Sequence, residues 1–409
     1  NADLGNDDMK FLAQAPHVRK LVGLGLSGNR ISDDGVAALA GAPIPLPDYG
    51  NLHGRPRMSC LLCGECDVGC NYGSKNTLDH TYLSAAKHAG ADIRTLHEVR
   101  AVTPLAGGGY EVGYVVHQPD VQAAVATLEQ RTITCDRLVL GAGTLGTTFL
   151  LLRNRAALPG LSRRLGHRFS GNGDLLGFML GAPLPPLGSA HAPVITTAVR
   201  VPDAADGAQG RGFYVEDAGY PGFTEWLVEA VSVGGQARRL VAAGLRLVRE
   251  HLTHHTDHEI GDVVSDLLGT GAKSAGAMPM LAMGRDIPDG LMSVEDDHLQ
   301  IDHYPRSSQE YFAHVGEVMA ALVKEMGGHF DENPLTRLSR VVTVHPLGGA
   351  SMGADATTGV VDAWGEVFEH PGLYVADGAA MPGPVGANPS LTIAAFAERL
   401  AEHVLEGAS

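Results

Sequence analysis

The sequence is short of cysteine, of aromatic residues and of positive charge, and it has no long uninterrupted apolar run. Only five cysteines occur in 409 residues, and Cys60, Cys63, Cys66 and Cys70 crowd into one short stretch. That is too few and too local for a disulfide framework. Lys and Arg number 30 against 46 Asp and Glu, for a net charge of −16. Such a surface repels a phosphate backbone, which argues against nucleic acid as a partner. No run of about 18 or more uncharged apolar residues exists, so no transmembrane segment is expected. The best candidate, from Trp226 to Val248, is broken by Glu229, Arg238, Arg239 and Arg246 and reads as amphipathic helices. The first residue is Asn and no secretory signal is visible; the reading leans towards the cytoplasm but fixes no compartment.

What remains is ordinary globular material, 44% hydrophobic and 19% charged. The length suits two domains, each with its own core.

The first 50 residues are the least legible. Gly23, Gly25 and Gly28 form a G-x-G-x-x-G string after a short apolar run. A dinucleotide fingerprint also needs a strand before it, a helix after it and an acid about 20 residues on. Here Asp33, Asp34 and Gly35 follow, then a proline-rich run. A turn with a short helix accounts for the segment better than a fingerprint does.

Further on, patterning predicts a helix over residues 77–89 and a short strand over 92–96. Three more strands are expected over 98–103, 110–116 and 123–133. Arg137-Leu-Val-Leu140 predicts a buried strand, entering the glycine turn Gly141-Ala-Gly143 and a helix over 144–152. Strand, glycine turn and helix together make a Rossmann-type element. From 155 to 340 the pattern changes to alternating strands (175–180, 193–201 and 212–215), helices around 226–252, and a helix over 307–326. The tail turns glycine-rich and ends in a helix over 390–405.

Two groups invite a metal reading. Cys60-x-x-Cys63-x-x-Cys66-x-x-x-Cys70 has the spacing of a bacterial ferredoxin run, although Asn71 stands where a Pro is usual. Iron–sulfur, zinc and a simple reduced loop all remain open for it. His251, His254, His255 and His258 cluster on a helical pattern but lack a third kind of ligand, and an exposed helix end explains them better.

The tail carries the most specific signal. Val344-His-Pro-Leu-Gly-Gly349, Leu373-Tyr-Val-Ala-Asp-Gly378 and Gly386-Ala-Asn-Pro-Ser-Leu-Thr392 occur in that order. Asn388 before Pro389 predicts an N-cap followed by Pro in the first helical position. The amides of that helix start would point at an electron-rich ligand edge. This set resembles the C-terminal signature of the glucose-methanol-choline (GMC) flavoprotein oxidoreductases. The pair His345 and Asn388 is closer to the cholesterol-oxidase branch than to the His–His pair of most of the family. The likeness also covers Lys75 to Leu83, Thr95 to Val99, Leu140 to Thr147 and Gly171 to Gly173.

The resemblance implies an α/β plus α+β fold. A Rossmann-like FAD-binding domain would be built from residues 54–154 and 341–409, with a substrate domain at 155–340 inserted between them and residues 1–53 unassigned. It implies FAD as cofactor and a secondary alcohol as substrate, a sterol or another small apolar alcohol. Hydride would pass to the flavin, with O2 or an undetermined acceptor reoxidising it. His345 would bind the hydroxyl and move its proton, Asn388 would hold the alcohol oxygen and flavin edge, and Glu216 would shuttle a proton in double-bond migration. Val99 would contact adenine. Gly141, Gly143 and Gly146 would pack near the dinucleotide. Asp377 and Gly378 would meet its phosphate or ribityl portion, and Pro389 and Thr392 would open the helix beside the flavin. The family's main FAD fingerprint is not found, so the FAD domain is expected to be incomplete at its N-terminus and the chain to be a fragment. An iron–sulfur electron-transfer protein and a catalytically incompetent fragment are the competing readings.

Overall fold

A computed structural model describes residues 41, 43–44, 46–118, 128–181, 194–203, 211–219, 277–302, 304–333, 336 and 342–407. The Gly23–Gly28 string, the helices expected around 226–252 and the His251–His258 group lie outside the described residues. Among the described residues no helix is long and apolar enough to cross a membrane.

In the first part of the chain a short antiparallel pair, Pro43–Ile44 with Arg57–Met58, precedes a 3-10 turn, Leu78–His80, and helix α1 (Tyr82–His88). The expected single helix over 77–89 is therefore interrupted at Thr81. The short strand expected over 92–96 does not form; turn and irregular backbone take its place. An antiparallel sheet follows, in the order β1 (His97–Pro104), β2 (Tyr110–Val116), β3 (Gln130–Cys135). Strand β4 (Leu138–Leu140) then feeds helix α2 (Gly143–Arg153) through the glycine turn.

The middle of the chain builds a five-stranded antiparallel sheet and a small three-stranded one. The strands are β5 (His167–Phe169), β6 (Leu175–Leu180), β7 (Ala198–Val201), β8 (Phe213–Asp217), β9 (Met278–Gly284), β10 (Gly290–Glu295), β11 (His298–Asp302) and β12 (His329–Glu332). The larger sheet runs β12-β6-β9-β8-β7 and the smaller β11-β10-β5. Helix α3 (Gln309–Glu325) lies against the larger sheet. It buries Tyr311, Val315, Met319 and Val323, spaced four residues apart in one stripe. These meet Leu175, Met179, Phe213, Val215, Met280 and Ala282 in one apolar cluster. Strand β6 alternates buried and half-buried residues, as a sheet with one packed face must.

The chain then returns to its first part. Strand β13 (Leu373–Val375) pairs in parallel with β4, Leu373 to Leu138 and Val375 to Leu140. Helix α4 (Ser390–Glu406) packs Phe396 and Leu400 into a second apolar cluster. That cluster also holds Val102, Leu140, Leu151, Leu347 and Val375, so residues from both ends of the sequence share one core. Among the described residues β4 has one strand neighbour, and Val139 is 47% exposed. The expectation of a buried strand there is corrected: Leu138 and Leu140 face the core cluster, and Val139, on the opposite face, is exposed.

Candidate active site

The site is organised by a four-residue loop, Gly171-Asn172-Gly173-Asp174, whose first three residues fall within the family likeness. Ser170 and Leu347 form an isolated antiparallel bridge, with both backbone hydrogen bonds made at 2.9–3.0 Å. The bridge brings the loop against the Val344–Gly349 segment. Behind it, Ser170 Oγ donates to the fully buried Asp286 at 2.6 Å and accepts from Asn172 N at 2.9 Å.

From this anchorage the loop reaches two candidate residues. Asp174 is fully buried, and its Oδ1 lies 2.8 Å from His345 Nδ1. Its Oδ2 accepts from Val344 N at 2.8 Å and meets Thr343 Oγ1 at 2.9 Å. A carboxylate so placed calls for a proton on Nδ1, which leaves Nε2 as the basic nitrogen. The imidazole is 14% exposed and remains reachable. Asn172, also fully buried, holds the other segment. Its Nδ2 donates to Ala387 O at 3.0 Å and its Oδ1 accepts from Gly386 N at 2.9 Å. Asn388 follows directly.

Asn388 does not cap helix α4. Pro389 occupies the cap position with helical angles and there is no side-chain cap bond. The Asn388 side chain turns away and donates from Nδ2 to Glu216 Oε1 at 3.0 Å and Oε2 at 3.4 Å. This corrects the expected N-cap: a buried carboxylate competes for the amide better than an exposed helix start does. Glu216 sits on β8 and is 7% exposed. Burial pushes its carboxyl above the ordinary range, against the pull of the Asn388 hydrogen bond and of nearby His345; Asp217 and Asp174 add to the rise. Asp217 itself is turned to Thr196 and Thr197, whose amides and hydroxyls it accepts. The two adjacent acids thus have separate work, and Glu216 alone joins the cluster.

The expected cofactor residues divide into two kinds. Gly141 and Gly143 border open space, since a Cβ on either would meet nothing within 4 Å. They lie at the start of α2, where Ala142 N donates to Thr147 Oγ1 at 3.1 Å and the Gly143 amide meets the Asp377 carboxylate. Val99 is 41% exposed on β1, an edge strand with outward-facing backbone groups. Thr392 is exposed on the first turn of α4, and Pro389 is buried.

Gly146, Gly378 and the Asp377 carboxylate serve packing instead. A Cβ on Gly146 would press on Ala142 Cβ at 3.0 Å, and one on Gly378 on Thr144 Oγ1 at 2.6 Å. Asp377 is 7% exposed; its Oδ2 accepts from Thr147 Oγ1 at 2.5 Å and its Oδ1 from Ala379 N at 2.8 Å. The Asp377 side chain latches α2 to the end of β13. What that strand end can offer a ligand is backbone.

The cysteine run folds as a loop with all four thiols free and half-buried. Among the described residues no three of its sulfurs converge within 4.8 Å; the one convergent ligand group contains no cysteine. The Cys70 thiol is held below its ordinary value. Burial raises it, but hydrogen bonds from the Lys75, Tyr72 and Ser74 amides and the Ser74 hydroxyl outweigh that.

Known proteins resemble this chain along most of its length. A family model described as GMC oxidoreductase matches residues 306–397. A cholesterol oxidase of Mycobacterium tuberculosis is 30% identical over 392 residues, which cover 88% of this chain and 61% of that protein. One from Acinetobacter baumannii is 26% identical over 448 residues, covering 98% of this chain and 73% of that protein. The paromamine 6'-oxidase of Streptomyces fradiae is 50% identical over 60 residues, 15% of this chain and 11% of that protein. The chain therefore spans about three fifths of the length of the Mycobacterium relative.

Proposed function

The chain belongs to the GMC oxidoreductase family, and on that premise we propose that it oxidises the CH–OH group of an alcohol with FAD as cofactor. The observation that carries this reading is the pairing of a buried aspartate with His345 beside the Asn388–Glu216 hydrogen bond.

FAD, when bound, supplies the acceptor for the hydride that leaves the carbinol carbon. The chain's own residues manage the proton and the geometry. His345 Nε2 takes the hydroxyl proton, and the Asp174 carboxylate at Nδ1 steadies the imidazolium that results. Asn388, held at its place by Asn172 and Glu216, orients the alcohol oxygen. Gly141, Gly143, Val99 and Thr392 would hold the cofactor, with backbone at Asp377–Gly378.

The substrate proposed is a bulky apolar secondary alcohol of the sterol class. The names of the two relatives that span most of the chain favour it. So does Glu216, a buried acid with a raised proton affinity, as moving a double bond next to a new ketone requires. Molecular oxygen is the proposed final acceptor. Residues 54–154 and 341–409 are proposed as the cofactor domain and 155–340 as the substrate domain.

The test is anaerobic mixing of the flavin-loaded protein with cholesterol, with a long-chain primary alcohol and with an amino sugar. Bleaching of the visible flavin band by cholesterol, with the conjugated ketone as product, is expected. No bleaching by any alcohol would overturn the reading, and bleaching by the primary alcohol alone would overturn the sterol assignment.

A further inference from the structure

His53, Asp79 and His80 bring two imidazoles and a carboxylate together. One ligand atom of each lies within 4.8 Å of the others. His53 Nε2 is 2.5 Å from Asp79 Oδ2, and His80 Nε2 is 3.9 Å from the same oxygen. The two rings stand 4.9 Å apart at 58°. No other group of this kind occurs among the described residues.

The side chains are held from two directions. Asp79 and His80 belong to the 3-10 turn before α1. His53 lies in the turn Asn51–Gly54, closed by Gly54 N donating to Asn51 O at 3.0 Å and by His53 N donating to Asn51 Oδ1 at 3.0 Å. Ser84 of α1 joins the two pieces. Its Oγ accepts from Leu52 N at 2.9 Å and donates to Asp79 O. The turn that carries His53 is thus fastened to the helix beside the other two residues.

His80 adds an independent observation. Its side chain is only 9% exposed, yet its Nδ1 has no hydrogen-bond partner. Its Nε2 stands too far from Asp79 for a hydrogen bond but faces it. Gly73, at φ +63°, gives the ring its room, since a Cβ there would come within 3.3 Å of Cε1 and Nε2. His80 thus presents Nε2 near the carboxylate, while Nδ1, on the other side of the ring, is left to carry the proton, the tautomer that Nε2 ligation needs.

We infer that His53, Asp79 and His80 form a binding site for a zinc-class divalent transition metal. Two imidazoles and one carboxylate are a donor set for such ions, at bond lengths of about 2.0–2.2 Å. Tetrahedral bonds of that length set ligand atoms about 3.3 Å apart. The His53–Asp79 pair must open by less than about 1 Å and the Asp79–His80 pair close by about half an ångström. His53 and Asp79 are 48% and 37% exposed, so both can adjust. The ion takes the place of the hydrogen bond between His53 and Asp79, with the neutral imidazole of His53 carrying its one proton on Nδ1. A fourth position stays open to water. The site would clamp the 51–54 turn onto α1, next to the cysteine loop.

The probe is zinc alone, titrated into chelator-stripped, desalted full chain against a chromophoric zinc chelator. His53→Ala, at an exposed position, and Asp79→Asn are each expected to remove one equivalent or weaken it more than about tenfold, the least that losing even an outer partner costs such a site. His80→Ala should do the same, with a thermal melt confirming that it folds. Cobalt at this site should show weak visible bands without thiolate charge transfer, unchanged in the Cys60→Ser/Cys63→Ser variant. Three results would overturn the inference. These are no zinc bound by the wild type at micromolar concentration, equal binding by wild type and His53→Ala, and an equivalent lost in the cysteine variant but kept in Asp79→Asn.

Discussion

Asn388 Nδ2 sits 3.0 Å from Glu216 Oε1, joining the turn before α4 to a strand of the five-stranded sheet across 172 positions of sequence. The bond serves both partners, since it orients the amide and lessens the burden of a carboxyl that burial disfavours in its charged form. Asn388→Ala should lower the rate of flavin reduction by alcohol by about 10². It should also raise the proton affinity of Glu216 further, because a lowering influence is gone. Stopped-flow reduction near the wild-type rate would contradict the assigned role.

Asp174 acts through His345. Asp174→Asn keeps the shape but replaces an acceptor at Nδ1 with a group that can donate, which favours the opposite tautomer and leaves Nε2 protonated. Flavin reduction should fall by about 10²–10⁴, the range for a mispositioned acid/base. A purely structural role would lower stability and leave the pH profile of reduction alone. The expectation here is that the profile's acidic limb, set by the base His345, moves, with flavin content kept.

Much of this was legible in the chain. Strands β1 and β2 and helices α2, α3 and α4 follow from alternation, from a glycine turn and from four-residue spacing. His345, Asn388 and Glu216 stood out by motif, and the fold places Asn388 and Glu216 in direct contact. Asp174 did not stand out. Its importance arises from the Ser170–Leu347 bridge, a contact between segments 177 residues apart that no local pattern announces. The one local signal was an acid straight after Gly171-Asn-Gly173. Asn388 was misread for the opposite reason. Asn before Pro is a sound capping pattern, and only tertiary structure reveals the buried carboxylate that takes its side chain.

Glu216 also fixes a sign for stability against pH. Its folded-state proton affinity is raised, so the native state binds more protons than the unfolded state just above the ordinary carboxylate range. Its contribution to stability must therefore fall as pH rises through that window. Glu216→Gln removes the charge and keeps an acceptor for Asn388. The variant should melt higher than wild type at neutral pH, with the difference shrinking as pH drops below the ordinary Glu range. A gap that widens on acidification would reverse the argument.

The last expectation concerns why two glycines follow His345-Pro-Leu347. Gly348 has φ +87°, a conformation that L side chains rarely adopt. A Cβ there would lie 2.0 Å from Arg168 O, and one on Gly349 would lie 2.2 Å from Met292 Cε and 2.3 Å from Thr148 Oγ1. Both backbones are held where they are. Gly348 N donates to Gly378 O at 2.9 Å, and Gly349 N to His167 O at 3.0 Å. Strain and overpacking together should cost Gly348→Ala about 2–4 kcal/mol of stability. The displaced backbone lies three residues from His345, so the imidazole should also lose register with Asp174. Urea unfolding should show the stability loss, and alcohol-driven flavin reduction should fall even under conditions where the variant is fully folded. A variant of wild-type stability would mean that Arg168 and its strand can retreat, and that the glycine is not needed for close approach.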